Sequence, residues 1–120
     1  MFYQEDWILR QIQMMILVIA RLVFHKETIQ YELDTSAPSP ADGLHLALNR
    51  LIDSGKINEA EDLLFSSLDT EDPSFLLAAL DFYQSLSRMS DEALAQADFS
   101  REEIQSGLLD ILKRFDIILE

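Results

Sequence analysis

Side chains able to carry chemistry are few in this 120-residue chain, and their spacing matches no known site motif. The two histidines, His25 and His45, fall on separate predicted helices and lack the H-x-x-x-H or E-x-x-H spacing with which a helix holds a metal ion. His25 is better explained as a cation at the carboxyl end of a helix. Cysteine is absent, which excludes thiolate metal ligands and cysteine nucleophiles. We therefore expect no metal site and no cofactor.

The carboxylates are more numerous, but their pattern is that of a solvated surface. The densest group lies in mid-chain and consists of Glu59, Glu61, Asp62, Asp69, Glu71 and Asp72. It lacks the alternating oxygen ligands and the mid-loop glycine of an EF-hand, and charge runs of this kind usually face water. Folding could pair Asp81 with Asp110, although nothing in their spacing requires it.

No motif of a common enzyme class is present: there is no G-x-G-x-x-G, P-loop, G-x-S-x-G or H-E-x-x-H sequence. We therefore predict that the chain is not an enzyme. An active site assembled from scattered residues is the alternative, and a deep pocket with converging Asp, Glu or His side chains would be its signature.

Charge is distributed very unevenly along the chain. The formal net charge is -13, of which residues 1–33 carry -1 and residues 34–120 carry -12. Such a surface repels the phosphates of nucleic acids and of anionic lipids, so we expect no nucleic-acid partner and consider a membrane partner unlikely. Solubility or a basic protein partner explains the acidity better.

The elements that would position any site are predicted to be helices throughout, five or six in number. The first covers residues 4–25 and is apolar around most of its girth, with a coiled-coil-like spacing along one row. Because so apolar a helix must be buried on several sides, we predict self-association into a dimer or larger oligomer. The predicted interface comprises Trp7, Ile8, Ile12, Met15, Ile16, Ile19, Leu22 and Val23. The alternative is a helix at the centre of a monomeric bundle.

A linker is predicted over residues 26–39, because prolines break the helix at residues 35–40. The composition changes there too, so we divide the chain into an assembly helix with its linker, residues 1–35, and an acidic helical domain, residues 36–120. Ser39, Asp72, Ser90 and Ser100 are predicted N-caps of the later helices. Gly55 is predicted to end the second helix.

Residues 41–74 resemble one tetratricopeptide repeat, a unit of about 34 residues made of two paired helices. The residues that match its first helix are Leu44, Ala47, Leu48 and Leu51. Gly55 to Ala60 resembles the turn between the helices, and Leu64 follows at the matching offset. The closing proline comes one residue late, at Pro73, and the next unit is degenerate. The resemblance therefore implies paired antiparallel helices.

The opening of the chain also resembles a known family. Residues 6–12, DWILRQI, and residues 20–24, ARLVF, look like an uncharacterised family of small bacterial proteins, mostly from Firmicutes, catalogued as a domain of unknown function. The resemblance implies a bacterial cytoplasmic protein and assigns no activity. The chain start lacks the plan of a signal peptide, and the apolar run at residues 14–20 is shorter than the roughly 20 residues that span a membrane.

These features together predict an oligomeric helical interaction module or scaffold, in which the first helix assembles copies and the acidic part faces a protein partner. The alternative is a peripheral membrane or membrane-protein-binding factor that uses residues 1–24. We expect a cytoplasmic location in the first case.

Overall fold

The computed structural model describes residues 2–24 and 39–117, with side chains from residue 7 onward. These residues form six α-helices and no strand, so the all-α prediction is confirmed. The helices are α1 (Phe2–Val23), α2 (Pro40–Asp53), α3 (Ile57–Ser67), α4 (Pro73–Ser87), α5 (Asp91–Gln96) and α6 (Arg101–Arg114). The predicted linker, most of the proline-rich break and the boundary at residue 36 lie outside the described residues.

Helices α4, α5 and α6 begin where short polar side chains satisfy free backbone N–H groups at the helix start. Asp72 accepts a 2.9 Å hydrogen bond from the backbone of Ser74, and Ser90 accepts one of 3.1 Å from Ala93. Ser100 does the same for Glu103 at 3.2 Å. At α2 the direction is reversed, since the backbone N–H of Ser39 donates to the Asp42 carboxylate at 2.8 Å. All four helix starts confirm the sequence prediction.

The connection between α2 and α3 is a tight turn built on Gly55. Its φ of +74° is in the left-handed region, which residues with a Cβ adopt at a cost. The turn lets α3 fold back against α2, and Ala60 at 0% exposure lets the two helices approach closely. The predicted end of the second helix at Ser54 and Gly55 is therefore confirmed.

Helix α4 lies at the centre of the molecule, in contact with α1, α2 and α6. Nine of its residues are buried, including Phe82 and Tyr83, whose rings meet edge to face at 5.0 Å between centroids. Their burial makes α4 the main contributor to the hydrophobic core, because aromatic side chains remove the largest areas from water.

Helix α1 closes the core from one side by packing against α4 and α6. The side chains that it buries are Ile12, Ile16, Ile19 and Ala20. They belong to the same cluster of buried apolar residues as the cores of α2, α4 and α6. This face of α1 is therefore covered by the chain itself. The division into residues 1–35 and 36–120 stays a prediction.

Candidate interaction surface

The face of α1 that points away from the core carries a row of exposed large apolar side chains. Trp7, Met14, Val18 and Leu22 are 59%, 59%, 36% and 61% exposed. Their spacing puts them on one side of a helix of 3.6 residues per turn, opposite Ile16. We call these four residues the α1 outer stripe. Burying such side chains is worth about 1.5–3 kcal/mol each when the burial is complete, so the stripe is a strong candidate for a contact.

The eight residues of the predicted interface do not stay together in the structure. Ile12, Ile16 and Ile19 are at most 4% exposed inside the chain's own core. Ile8, Met15 and Val23 are partly buried against that core. Only Trp7 and Leu22 remain exposed. Helices α4 and α6 thus cover most of the predicted row, and the exposed apolar side chains lie on a different side of α1. Self-association stays a prediction, and the large apolar side chains that α1 leaves exposed for it are those of the α1 outer stripe.

An open groove of about 530 Å³ runs along this surface. Its described lining residues are Trp7, Arg10, Gln11, Met14 and Met15. Between residues 7 and 24 the chain carries two charged side chains, Arg10 and Arg21, and no carboxylate. The described lining of the groove contains no carboxylate, and in so acidic a chain such a lining favours a partner that is itself apolar or acidic rather than basic.

Helix α6 contacts α1 at Gln11, one of the residues that line the groove. The side-chain amide of Gln105 donates a 2.9 Å hydrogen bond to the side-chain oxygen of Gln11. Leu109, one turn further along α6, is 54% exposed. Residues four apart lie on the same side of a helix, so Leu109 extends the apolar surface from α1 toward α6.

A second feature is the contact between Tyr83 of α4 and Glu61 of α3. The Tyr83 hydroxyl donates a 2.7 Å hydrogen bond to Glu61, although the ring itself is fully buried. The hydroxyl passes over Gly107 of α6, and a Cβ placed on that glycine would overlap it. Gly107 is therefore required for the close approach, and a glycine inside a strongly helical segment was the one sequence signal of this contact.

Burial and charge act on both groups of this contact. Burial raises the pKa of Glu61, and the nearby carboxylates of Glu103, Asp62 and Asp110 raise it further, while the hydrogen bond from Tyr83 lowers it. Burial likewise raises the pKa of Tyr83, so the phenol stays protonated and remains a donor. The arrangement joins α3 to α4, and a protonated phenol with a half-buried carboxylate amounts to a structural hydrogen bond.

The histidine available for description also has a structural partner. His45 Nε2 lies 3.0 Å from an oxygen of Asp81 and 3.4 Å from the side-chain nitrogen of Asn49. Asp81 therefore serves the contact between α2 and α4, whereas Asp110 pairs with Arg114 at 3.4 Å. Each of these two carboxylates thus has a basic neighbour of its own. His25 lies outside the described residues.

Arg101 is a further buried polar residue that sequence reasoning missed. At 8% exposure it donates to Asp91, at 3.1 and 2.9 Å, and to the carbonyl oxygens of Ser87 and Met89, at 3.2 and 2.8 Å. These carbonyls follow the end of α4, where the helix dipole favours a cation. The guanidinium therefore fastens α4, α5 and α6 together.

Some of the mid-chain carboxylates face solvent, and others make hydrogen bonds within the fold. Glu59, Asp62, Asp69 and Glu71 are exposed, whereas Asp72 caps α4 and Glu61 binds Tyr83. Within residues 7–24 and 39–117 no three His, Asp or Glu side chains are placed to hold a metal ion. In the same part of the chain no helix has the length and apolarity to cross a membrane.

A family model matches residues 2–116 of the chain, which is nearly its whole length. The chain belongs to the family of unknown function DUF6483. Comparisons with curated proteins and with solved structures found no significant match. Membership of DUF6483 confirms the resemblance to an uncharacterised family, while its bacterial origin and its repeat character stay predictions.

Because DUF6483 carries no assigned activity, function has to be argued from the surface of this chain. Of the described features, the contacts of Glu61, His45 and Arg101 hold helices together. The α1 outer stripe has no such structural role in the described part of the chain. We therefore take the stripe, and not a polar cluster, as the candidate functional site of this DUF6483 member.

Proposed function

We propose that the chain is a non-enzymatic interaction module that assembles with copies of itself through the α1 outer stripe. The supporting observation is the exposure of Trp7, Met14 and Leu22, each by more than half, on the face opposite the core. Apolar side chains clustered in this way usually mark a protein contact, and tryptophan and methionine are enriched at such contacts.

Charge also favours contact between two copies through α1. A chain with a net charge of -13 repels its copies, and the repulsion is weakest where carboxylates are absent. The stretch from Trp7 to Phe24 contains no carboxylate and two arginines. Two copies that approach through this stretch of α1 therefore bring no carboxylate from it into the contact and bury its exposed apolar side chains.

The acidic helices α2 to α6 are proposed to present a surface to a further protein partner, in the manner of tetratricopeptide-like hairpins. The hairpin of α2 and α3 turns at Gly55, and α4 packs on α2 as the first helix of a next repeat would. Helix α5 has six residues, so the proposed second hairpin is short. The proposal therefore involves one complete repeat, whereas free-standing arrays usually have about three or more. A cytoplasmic location and the absence of a nucleic-acid partner stay predictions.

Light scattering coupled to gel filtration tests the assembly. At protein concentrations from about 1 to 100 μM, the range in which weak and moderate contacts form, we expect a mass of at least two chains. A mass of one 13.8 kDa chain across this range would overturn the proposal.

A peripheral membrane role is the second candidate, favoured by the two arginines that flank an apolar stripe. Two cations are few for binding an anionic surface, and the rest of the chain is acidic. Flotation with vesicles of zwitterionic lipid, and with vesicles that also contain anionic lipid, separates the two roles. Co-flotation of the monomer with either vesicle would favour the membrane role.

A further inference from the structure

The arrangement of α1 and α6 also indicates how two copies meet. We infer that they pair antiparallel, about a two-fold axis that passes between the two α1 helices at the level of Met14 and Met15, with α6 of each copy joining the contact. This inference rests on the proposed function and adds the orientation and the residues that face each other.

The outer residues of α1 are spaced symmetrically about Met14 and Met15. Trp7 lies seven residues before Met14, and Leu22 lies seven residues after Met15. Gln11 and Val18 lie three residues from the same two methionines. An antiparallel two-fold therefore puts Trp7 at the level of Leu22 of the second copy and Gln11 at the level of Val18. The outer face of α1 is thus complementary to itself, as a two-fold contact requires.

A further argument is the area that a stable pair must bury. The α1 outer stripe runs from Trp7 to Leu22, 15 residue steps apart, or about 22 Å of helix at 1.5 Å per residue. One narrow stripe of this length falls short of the roughly 800 Å² per partner of a stable contact, so a second helix has to contribute. The hydrogen bond from Gln105 to Gln11 places α6 beside α1 at the groove, and the exposed Leu109 lies one turn from Gln105.

Orientation decides whether the two α6 helices can contribute together. In an antiparallel pair the α6 edges of both copies lie on the same side, so the two Leu109 side chains add to one continuous contact. In a parallel pair the α6 edge of each copy would face the opposite edge of the other, where Arg10 projects. Antiparallel helix dipoles also attract each other, whereas parallel ones repel.

The charged residues fit the same arrangement. Arg10 and Arg21 both lie on the edge of α1 away from α6, by their helical positions relative to Gln11. In the antiparallel pair they therefore stay at the solvent-exposed rim, where polar residues of interfaces are usually found. The apolar side chains occupy the centre of the contact.

The chain has no cysteine, so single cysteines report the orientation directly. Three variants, Trp7→Cys, Leu22→Cys and Met14→Cys, are treated with a short bismaleimide crosslinker, alone and in mixtures. Met14→Cys alone should crosslink. Trp7→Cys and Leu22→Cys should each crosslink poorly alone, because equivalent positions lie about 22 Å apart, and roughly tenfold better when mixed.

Gln13→Cys is the matched control, since Gln13 is exposed on α1 but off the stripe, and it should not crosslink. A mixture of Gln11→Cys and Val18→Cys repeats the test with Trp7 and Leu22 intact. Efficient crosslinking of Trp7→Cys and of Leu22→Cys, each to its own copy, would show a parallel pair and overturn this inference while leaving assembly in place. A monomer by light scattering would instead overturn the proposed function.

Discussion

The hydroxyl of Tyr83 donates a 2.7 Å hydrogen bond to Glu61 and thereby joins the central helix α4 to α3, which packs mainly on α2. The two residues are 22 positions apart in the chain. A hydrogen bond to a charged, half-buried group contributes more than one between neutral groups, because the carboxylate has lost part of its water. The contact therefore fixes the position of α3 relative to the core.

Tyr83→Phe should lower the free energy of unfolding by about 1–2 kcal/mol, because Glu61 loses its donor in a partly dry site. Urea unfolding followed by circular dichroism measures the change. In a Glu61→Gln background the same substitution should cost less, since a neutral amide needs less compensation than a carboxylate. An equal cost in both backgrounds would show that the two side chains act independently.

Replacing Glu61 by Gln should also change how stability depends on pH. The raised pKa of Glu61 means that the folded chain binds a proton more tightly than the unfolded one. The stabilisation is complete below the pKa of the unfolded state, about pH 4, and is lost as pH rises through the higher folded pKa. Glu61→Gln stays neutral, so its stability relative to the wild type should rise through this range and then level off.

Urea unfolding at a series of pH values between 4 and 8 provides the measurement. Glu59→Gln is the control, because Glu59 is exposed on the same helix. A difference between Glu61→Gln and the wild type that does not vary with pH would contradict the raised pKa.

Gly107→Ala should destabilise the fold by about 1–3 kcal/mol, since the new methyl group overlaps the buried Tyr83 side chain. This cost exceeds the gain of about 1 kcal/mol that alanine brings to a helix interior. Gly43→Ala is the control, because a Cβ there meets no atom within 4 Å, and it should stabilise α2 by about 0.5–1 kcal/mol. Equal melting-temperature shifts for the two variants would refute the close approach of Tyr83 to α6.

Arg101→Lys should cost about 2–3 kcal/mol in urea unfolding, because one ammonium group cannot reach the Asp91 carboxylate and both carbonyl oxygens together. Arg114→Lys is a control on the same helix, where a half-exposed pair with Asp110 should change stability by no more than about 0.5 kcal/mol. Similar costs at the two positions would mean that burial of Arg101 adds nothing.

The local parts of this fold could be predicted from the sequence, and the long-range parts could not. Two helix starts are predicted by a capping residue followed by proline, Ser39 with Pro40 and Asp72 with Pro73. Such a signal is local, because a cap acts within three or four residues. The contact between Glu61 and Tyr83 has no such local signal. Both residues sit in amphipathic helices, and only folding brings them together.

The outward face of α1 shows a different limit. Its sequence is apolar on nearly every side, so periodicity cannot tell which side the rest of the chain covers. The structure shows that Ile12 and Ile19 are fully buried within the chain. Substituting both by Glu would therefore unfold the chain, because buried charge without a partner is very costly.

Charged substitutions in the α1 outer stripe test whether copies of the chain assemble through this surface. Sedimentation equilibrium is compared for the wild type, for the double variant Met14→Glu and Leu22→Glu, and for Gln13→Glu, which adds a charge to α1 outside the stripe. We predict that the wild type and Gln13→Glu assemble with similar dissociation constants, and that the double variant is a folded monomer with a dissociation constant at least roughly 100-fold higher. An unchanged dissociation constant for the folded double variant, or a monomeric wild type, would show that copies do not assemble through the α1 outer stripe.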